Sequence, residues 1–380
     1  MVESYRKRFM AFRKKSPSET VEEISEKINS QSEPSKENTK KELIHTGSTL
    51  LNLALSDYPS GGYRPGRIVN LVGDSATGKS LLLLSMFAEA AINPKYDKYA
   101  LIYDEAEAGL EFNLEQMFGK KAAERIQIIP EKRDRPRTIQ DWYHSVFDII
   151  VTKHKQCLYG LDSFDALTSE EELKEQEVGK GGYKTEKAIA SSAILRQIAK
   201  VNEGTQSLII IISQTRQNLG ALFGKKKTRS GGDALKFYST QEIWLHNGTK
   251  ITKKVGNDDI EVGRYVFVDI EKNRVTGKKR RIKIPILDGY GVDDNWSMIE
   301  WMIDKGFWEI KKEDDGKKAK IKDVNKAVID TCGDFIDGKI SEIVKHIEDN
   351  NLEDSLKNIV WESWLKIEDI LAPKRKPRYV

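Results

Sequence analysis

Eight residues constrain this chain more than any others: Gly73-Asp74-Ser75-Ala76-Thr77-Gly78-Lys79-Ser80, which reads G-x4-G-K-S. An apolar run of strand length, Arg67–Gly73, leads into it, and an apolar run of helical length, Leu81–Ile92, leads out. A glycine-rich loop in that setting turns backbone N–H groups inward around phosphate oxygens, and the start of the helix adds partial positive charge. The Lys79 ammonium is then placed for the β- and γ-phosphates of a nucleoside triphosphate, and the Ser80 hydroxyl for Mg²⁺. A chance glycine-rich turn would not come with both flanking elements.

The same alternation continues along the chain. Apolar runs at Tyr99–Tyr103, Arg125–Ile129, Cys157–Leu161 and Ser207–Ser213 are separated by helix-length segments such as Arg137–Lys153 and Lys187–Val201. This pattern predicts an α/β fold with a mostly parallel twisted sheet flanked by helices. Residues 208–212, LIIII, are apolar without alternation, as in a strand covered on both faces. Glu242–His246, Arg264–Glu271 and Arg281–Leu287 follow one another closely and predict antiparallel additions at one sheet edge.

The ends differ from the middle. Residues 1–45 read as an arm and linker: Ser16-Pro17 opens a predicted helix with a narrow apolar stripe, Val21, Ile24 and Ile28. Residues 46–310 form the predicted core. Residues 311–380 read as a charged linker and a small helical region with a basic tail, with helix candidates at Val324–Thr331, Ile340–Ile347 and Leu352–Leu365. The 380 residues are 38% hydrophobic and 32% charged, enough for a sizeable core under a charged surface. No apolar run is long enough for a membrane helix. The N-terminus has no apolar stretch of signal-peptide type, and its Glu-containing continuation argues against a transit peptide. Two cysteines, Cys157 and Cys332, exclude a disulfide scaffold or a cysteine-based zinc site. A cytoplasmic location, in a bacterial cell or a phage-infected host, is the expectation. The net charge of +4 is mild. Basic clusters at Lys225, Lys226, Lys227 and Arg229, at Lys278–Lys283 and at Lys374–Arg378 are, taken singly, more often solvated surface than nucleic-acid contacts.

A phosphate-binding loop needs a second Mg²⁺-directed carboxylate at the end of a neighbouring strand, and Asp162 after Cys157–Leu161 offers it; capping of the next segment is its ordinary alternative. A water attacking the γ-phosphate needs a base. Asp104-Glu105-Ala106-Glu107 ends another strand at the edge where open α/β sheets bind ligands. Composition does not choose among Asp104, Glu105 and Glu107.

These motifs together resemble the RecA-type recombinases, including the UvsX-type phage proteins, from about Thr46 to about Trp308. Thr46-Gly47-Ser48, Leu53-Ala54-Leu55 and Gly66-Arg67-Ile68-Val69 are similar to the family's lead-in to the loop. Glu105-Ala106-Glu107 resembles its acidic-Ala-Glu triplet, and Asp162-Ser163 its second Mg²⁺ motif. The densest likeness runs from Ile212-Ser213-Gln214-Thr215-Arg216 through Gly220–Gly224 to Gly231-Gly232-Asp233-Ala234-Leu235-Lys236-Phe237-Tyr238. The resemblance implies ATP and Mg²⁺ as cofactors and Glu107 as the catalytic glutamate. Gln214 becomes the γ-phosphate sensor. Two DNA-binding loops are implied, at 169–187 with Gly181 and Gly182, and at 215–232 with Lys225, Lys226, Lys227, Arg229, Gly231 and Gly232. Phe237 matches a subunit-interface aromatic. Lys272 and Arg274 match two cations that reach a neighbour's γ-phosphate.

The implied activity is a DNA-dependent ATPase that forms helical filaments on single-stranded DNA and pairs it with double-stranded DNA in recombination and repair. Its implied partners are further copies of the chain, single-strand-binding proteins and loaders. Three departures stand out. Leu114 occupies the adenine-stacking position, leaving Glu111 for the adenine amino group. Arg274 replaces a lysine, and the tail is basic where many bacterial relatives have an acidic one. Two rival readings are a hexameric DNA helicase with the same core, for which only about 45 residues would precede the core, and an ATPase-silent recombination mediator. The complete set Lys79, Glu107, Asp162 and Gln214 argues against the latter.

Overall fold

The computed structural model describes residues 43–107, 109–129, 137–153, 156–177, 184–217, 227–229, 232–313, 316–320 and 340–375. Residues 1–42 of the proposed arm at 1–45, the helix candidate at Val324–Thr331 and parts of both proposed DNA loops lie outside them.

Six parallel strands form the sheet's centre. They are β1 (Arg67–Gly73), β2 (Ala100–Glu105), β3 (Ile126–Ile129), β4 (Cys157–Asp162), β5 (Leu208–Gln217) and β7 (Gln241–Val255), in the order β3-β2-β4-β5-β1-β7. The sheet continues antiparallel through β8 (Asp258–Asn273), β9 (Arg281–Leu287) and β10 (Gly291–Val292). Strand β6 (Lys227–Arg229) pairs antiparallel with the far end of β5.

β5 shows why a strand can be apolar throughout. Leu208, Ile210 and Ile212 enter the core on one face of the sheet, and Ile209 and Ile211 enter the core on the other. Strand alternation sends successive side chains to opposite faces, and here both faces are covered. The first face is packed by α1 (Thr49–Ser56), α2 (Lys79–Ile92) and α9 (Asp294–Asp304). The second is packed by α5 (Ile139–Phe147), which continues as a π-helical turn over Asp148–Lys153, and by α7 (Lys184–Asn202). Shorter helices α3 (Leu114–Phe118), α4 (Lys120–Arg125), α6 (Glu170–Glu177) and α8 (Gly232–Tyr238) connect the strands.

Gly160 sits mid-strand, where glycine ordinarily weakens pairing. Its reason is contact: a Cβ at 160 would lie 2.5 Å from Leu83 Cδ2 on α2. The helix that follows the phosphate loop is thus drawn close onto the strand that carries Asp162.

The last helices, α10 (Ile340–Asp349) and α11 (Glu353–Leu371), pack on the same core as α2. Ile343, Ile347, Leu356, Val360 and Trp364 are buried there, and the Trp364 ring stacks on Trp301 of α9 with centroids 5.6 Å apart. Asp57, at the C-terminus of α1, accepts hydrogen bonds from the Trp364 indole (3.0 Å) and from Lys278 (3.1 Å), and pairs with Arg280. Glu368 pairs with Lys278 (2.6 Å) and Arg280 (2.8 Å). Part of the cluster at Lys278–Lys283 therefore ties α11 to the core. The hairpin β7–β8 also runs well beyond the predicted segments, to Val255 and from Asp258.

Candidate active site

The strand order brings the carboxyl ends of β1, β2, β4 and β5 side by side, and the functional candidates gather there. The phosphate loop joins β1 to α2. Gly78 adopts φ 81°, a left-handed conformation that favours glycine, and a Cβ there would meet Ile286 Cδ1 at 2.5 Å. Lys79 follows as the first residue of α2 and is buried. Its ammonium donates to the carbonyls of Gly73 (3.1 Å) and Asp74 (2.5 Å). Burial pushes its pKa down, and the carboxylates of Asp162, Glu107, Asp165 and Asp74 oppose that shift. One cation amid four acids suits a site that will receive a polyanion together with a divalent cation.

Asp162 ends β4, beside Glu105 in the β2–β4 register. The Ser80 hydroxyl and the Tyr103 phenol both donate to its Oδ2, each at 2.5 Å. Burial raises its pKa above the ordinary carboxylate range; the Ser80 and Tyr103 bonds and Lys79 work the other way, while Glu107 adds to the rise. Ser80 and Asp162 thus present adjacent oxygens, the hard-donor pair expected for Mg²⁺ shared with water and phosphate. The residues present fit the group.

The geometry separates the three acids at the end of β2. Asp104 is fully buried; Arg137 pairs with its Oδ1, and the Tyr159 phenol donates to its Oδ2. The Trp142 indole in turn donates to the Tyr159 oxygen at 3.1 Å. Glu105 accepts from the Gly109 N–H at 2.5 Å and closes a local turn. Glu107 is exposed beside the phosphate loop, where Ser163 and Gln214 donate to its Oε1, Gln214 at 3.2 Å. Of the three, Glu107 alone is both near Lys79 and open to a water.

Gln214 stands in β5 beside Gly73 of β1. Its backbone N–H donates to Asp165 at 2.7 Å, and the next residue, Thr215, donates to Asp74 of the phosphate loop. Thr215 pairs with Arg229, and Gln217 with Lys227. The segment carrying Lys227 and Arg229 therefore returns along the same strand as Gln214. Gly232 opens α8; Gly181, Gly182, Lys225, Lys226 and Gly231 lie outside the described residues.

Lys272 and Arg274 are placed elsewhere. Asn273 pairs with Gln241, and Gln241 with Val69, four residues before Gly73. That offset is about 13 Å along the strands. The Lys272 ammonium donates to the carbonyls of Lys236 (2.5 Å) and Phe237 (3.1 Å), near the C-terminus of α8. Arg274 is exposed, and Phe237 is 64% exposed rather than part of the core. The pair sits at the sheet's amino edge, away from its own phosphate loop.

Leu114 is buried and offers no surface to a base, whereas Glu111 and Phe112 are exposed. Sequence reasoning gave no role to Tyr103 or Asp165, and none to Ser163 beyond its place in the Asp162-Ser163 motif. Tyr103 precedes the acidic run by one residue and faces the other way from Asp104, which strand alternation could have indicated.

The sequence matches the RecA N-terminal domain over residues 19–293, more than two thirds of its length. The chain belongs to the RecA family. The RecA match spans the phosphate loop, Glu107, Asp162, Gln214, Lys272 and Arg274, and it ends before α9. Protein RecA of Pseudomonas putida is 30% identical over 268 residues, covering 70% of this chain and 69% of that protein. Protein RecA of Borreliella afzelii (strain PKo) is 30% identical over 264 residues, covering 68% and 67%. The chromosomal RecA protein of Lactococcus lactis subsp. lactis (strain IL1403) is 27% identical over 275 residues; the match covers 72% of this chain and 66% of that protein's length. Among the described residues, no helix is long and apolar enough to cross a membrane.

Proposed function

We propose that this RecA-family chain is a DNA-dependent ATPase of recombination and repair that assembles on single-stranded DNA and catalyses homologous pairing and strand exchange. The observation that carries the reading is the convergence of Lys79, Ser80, Asp162, Glu107 and Gln214 at one sheet edge, with the strand of Gln214 running straight into the segment of Lys227 and Arg229.

Lys79 exchanges its two carbonyl partners for phosphate oxygens. Ser80 and Asp162 would hold Mg²⁺, which when bound would supply counter-charge to the triphosphate. Glu107 accepts the proton of the attacking water, and its bonds from Ser163 and Gln214 keep the carboxylate aimed. Gln214 bridges that carboxylate and the β5–β6 pair, so a change at the γ-phosphate shifts the DNA-gripping segment. Glu111 takes the adenine amino group. Lys272 and Arg274, remote from their own loop, serve a neighbour's nucleotide; transfer of charge onto γ-phosphoryl oxygens is helped by such cations in trans. Backbone amides of Gly181, Gly182, Gly231 and Gly232 and the charges of Lys225, Lys226, Lys227 and Arg229 grip the DNA backbone.

ATP hydrolysis measured with and without single-stranded DNA, together with strand exchange on a coated single strand, tests the reading. Turnover that rises with DNA and a joint product that needs ATP are expected. Turnover indifferent to DNA would overturn it. Mixing Lys79→Ala protein with Lys272→Ala/Arg274→Ala protein tests the shared site: two inactive proteins should regain measurable turnover together.

A further inference from the structure

Glu107 is held by a closed ring of contacts, and the ring returns through Asp165. Ser163 and the Gln214 side chain both donate to Glu107 Oε1, Gln214 at 3.2 Å. Asp165 joins the two donors. It follows closely on Ser163 in the chain, and its Oδ2 accepts the Gln214 backbone N–H at 2.7 Å. The contacts therefore run from Glu107 to Gln214, to Asp165, along the chain to Ser163, and back to Glu107.

The ladder between β4 and β5 explains why a side chain is needed there. Its register stops with Leu161 opposite Ile211, before β5 reaches Gln214. Past the end of a ladder, a partly buried backbone N–H needs another acceptor. The Asp165 carboxylate takes that place, and a charged acceptor makes a stronger bond than a carbonyl does. Asp165 is itself fixed by its surroundings. It lies in the 3-10 turn Phe164–Ala166. Phe164 is fully buried and meets Trp142 of α5 edge-on, with centroids 5.8 Å apart. Lys187, in the first turn of α7, donates to the Leu167 carbonyl and, at 3.4 Å, to that of Asp165. A braced turn thus sets the backbone position of Gln214, and with it the reach of the Gln214 amide.

We infer that Asp165 is a positioning residue for hydrolysis: by holding the Gln214 N–H, it aims the Gln214 amide at Glu107 and fixes the rotation of that carboxylate. Both donors take Oε1. Among the described residues none donates to Oε2, which is left for the proton of the attacking water. This rests on the proposed role of Glu107 as the base. An exposed carboxylate with one oxygen held twice keeps its other oxygen on one bearing. Such preorganisation acts on the chemical step rather than on ATP affinity.

Asp165→Ala, Asp165→Leu and Asp165→Asn test it, with hydrolysis measured per bound ATP in single turnovers at saturating DNA. Affinity for a fluorescent ATP analogue and thermal melting are read alongside. The alanine and leucine proteins should hydrolyse about tenfold more slowly, inside the roughly 100-fold that a misplacement of about 1 Å can cost, with analogue affinity near that of the wild type. Asparagine keeps an acceptor oxygen for the N–H and should restore most of the rate. On a Gln214→Ala background, Asp165→Ala should cost nothing further, because the amide it aims is gone. An asparagine protein as slow as the alanine one overturns the positioning and assigns Asp165 to a role played by its charge. Losses that add in the double variant overturn it too. So does a normal rate per bound ATP with lowered melting, the mark of a residue that only supports the fold. Glu107→Gln, measured in the same assay, separates the two failures. A normal rate there refutes the base and the positioning with it; a slow rate there beside a normal Asp165→Ala refutes the positioning alone.

Discussion

The ends of β2 and β4 hold two buried aspartates on neighbouring strands, and they are finished in opposite ways. Asp104 meets a guanidinium and a phenol, and the whole cluster of Asp104, Arg137, Tyr159 and Trp142 is sealed beneath α5. Asp162 meets only hydroxyls, from Ser80 and Tyr103, with Lys79 nearby but bonded to carbonyls. The first carboxylate has its counter-charge built in and works as a structural tie. The second is held in place without one, so its charge remains to be matched by something that arrives. Burial alone does not mark a functional acid; the missing permanent counter-ion does.

The largest expected effect breaks the structural side of this contrast. Asp104→Ala leaves the Arg137 guanidinium buried without its carboxylate, and should cost about 3–5 kcal/mol in denaturant unfolding. Turnover per folded molecule should change little, because Asp104 is bonded to Arg137 and Tyr159, packed under α5 on the sheet face opposite α2. A stable Asp104→Ala protein that hydrolyses nothing would reverse the assignment of the two acids.

On the functional side, Glu107→Gln should bind ATP normally and hydrolyse it about 100-fold more slowly, the scale of lost general-base assistance. Glu105→Gln, which removes only the cap on the Gly109 N–H, should be the milder change. Single-turnover kinetics at saturating DNA separates the two, and the opposite ranking would mean that the acidic triplet is read one step out of register.

Asp162→Asn sharpens the comparison through pH. The folded-state pKa of Asp162 is raised, so the folded protein holds this proton at pH values where the unfolded chain has lost it. Stability is therefore lost as pH rises from the ordinary carboxylate range through the raised value. The asparagine variant should escape that loss and melt at a higher temperature than the wild type at neutral pH, with the difference vanishing as pH falls into the ordinary carboxylate range. Its turnover should fall, and Mg²⁺-ATP should stabilise it less than it stabilises the wild type. Equal destabilisation at every pH would place Asp162 with Asp104 as a structural tie. Tyr103→Phe should have the smallest effect, about 1 kcal/mol for one lost bond to the carboxylate, read by thermal melting with and without Mg²⁺-ATP.

Much of the parallel core was legible in the sequence. Arg67–Gly73 forms a strand over the predicted residues, and the other central strands fall within a few residues of their predicted bounds, because a strand covered on both faces has no polar interruption; in the antiparallel extension, Arg281–Leu287 also matches its predicted bounds. The outer half of the β7–β8 hairpin was not legible, since its few apolar residues, Ile251, Val255, Ile260 and Val262, are scattered among charged ones and only Ile251 is buried. The burial of α10 and α11 against α9 was hidden for a different reason. Their amphipathic stripes were visible, but a stripe does not name the surface it covers. At the site, the positions of the loop and of Asp162 at the carboxyl edge were legible from motif and strand context, whereas Gln214 was named only by the family resemblance. The choice among Asp104, Glu105 and Glu107 did not, because it depends on Arg137 and Ser163, residues far along the chain from the triplet.

The contact between Gly160 and Leu83 also has a consequence for inheritance. Every single-base change away from a glycine codon that still encodes an amino acid adds a Cβ, and at 160 that atom would press on a leucine of α2. Such a change forces either the buried Leu83 side chain or the strand that carries Asp162 to shift, unless position 83 shrinks as well. The two positions should therefore drift as a pair. In lineages descended from this gene, a residue larger than glycine at 160 is expected only where 83 already carries something smaller than leucine, and the smaller residue at 83 should be the earlier of the two changes.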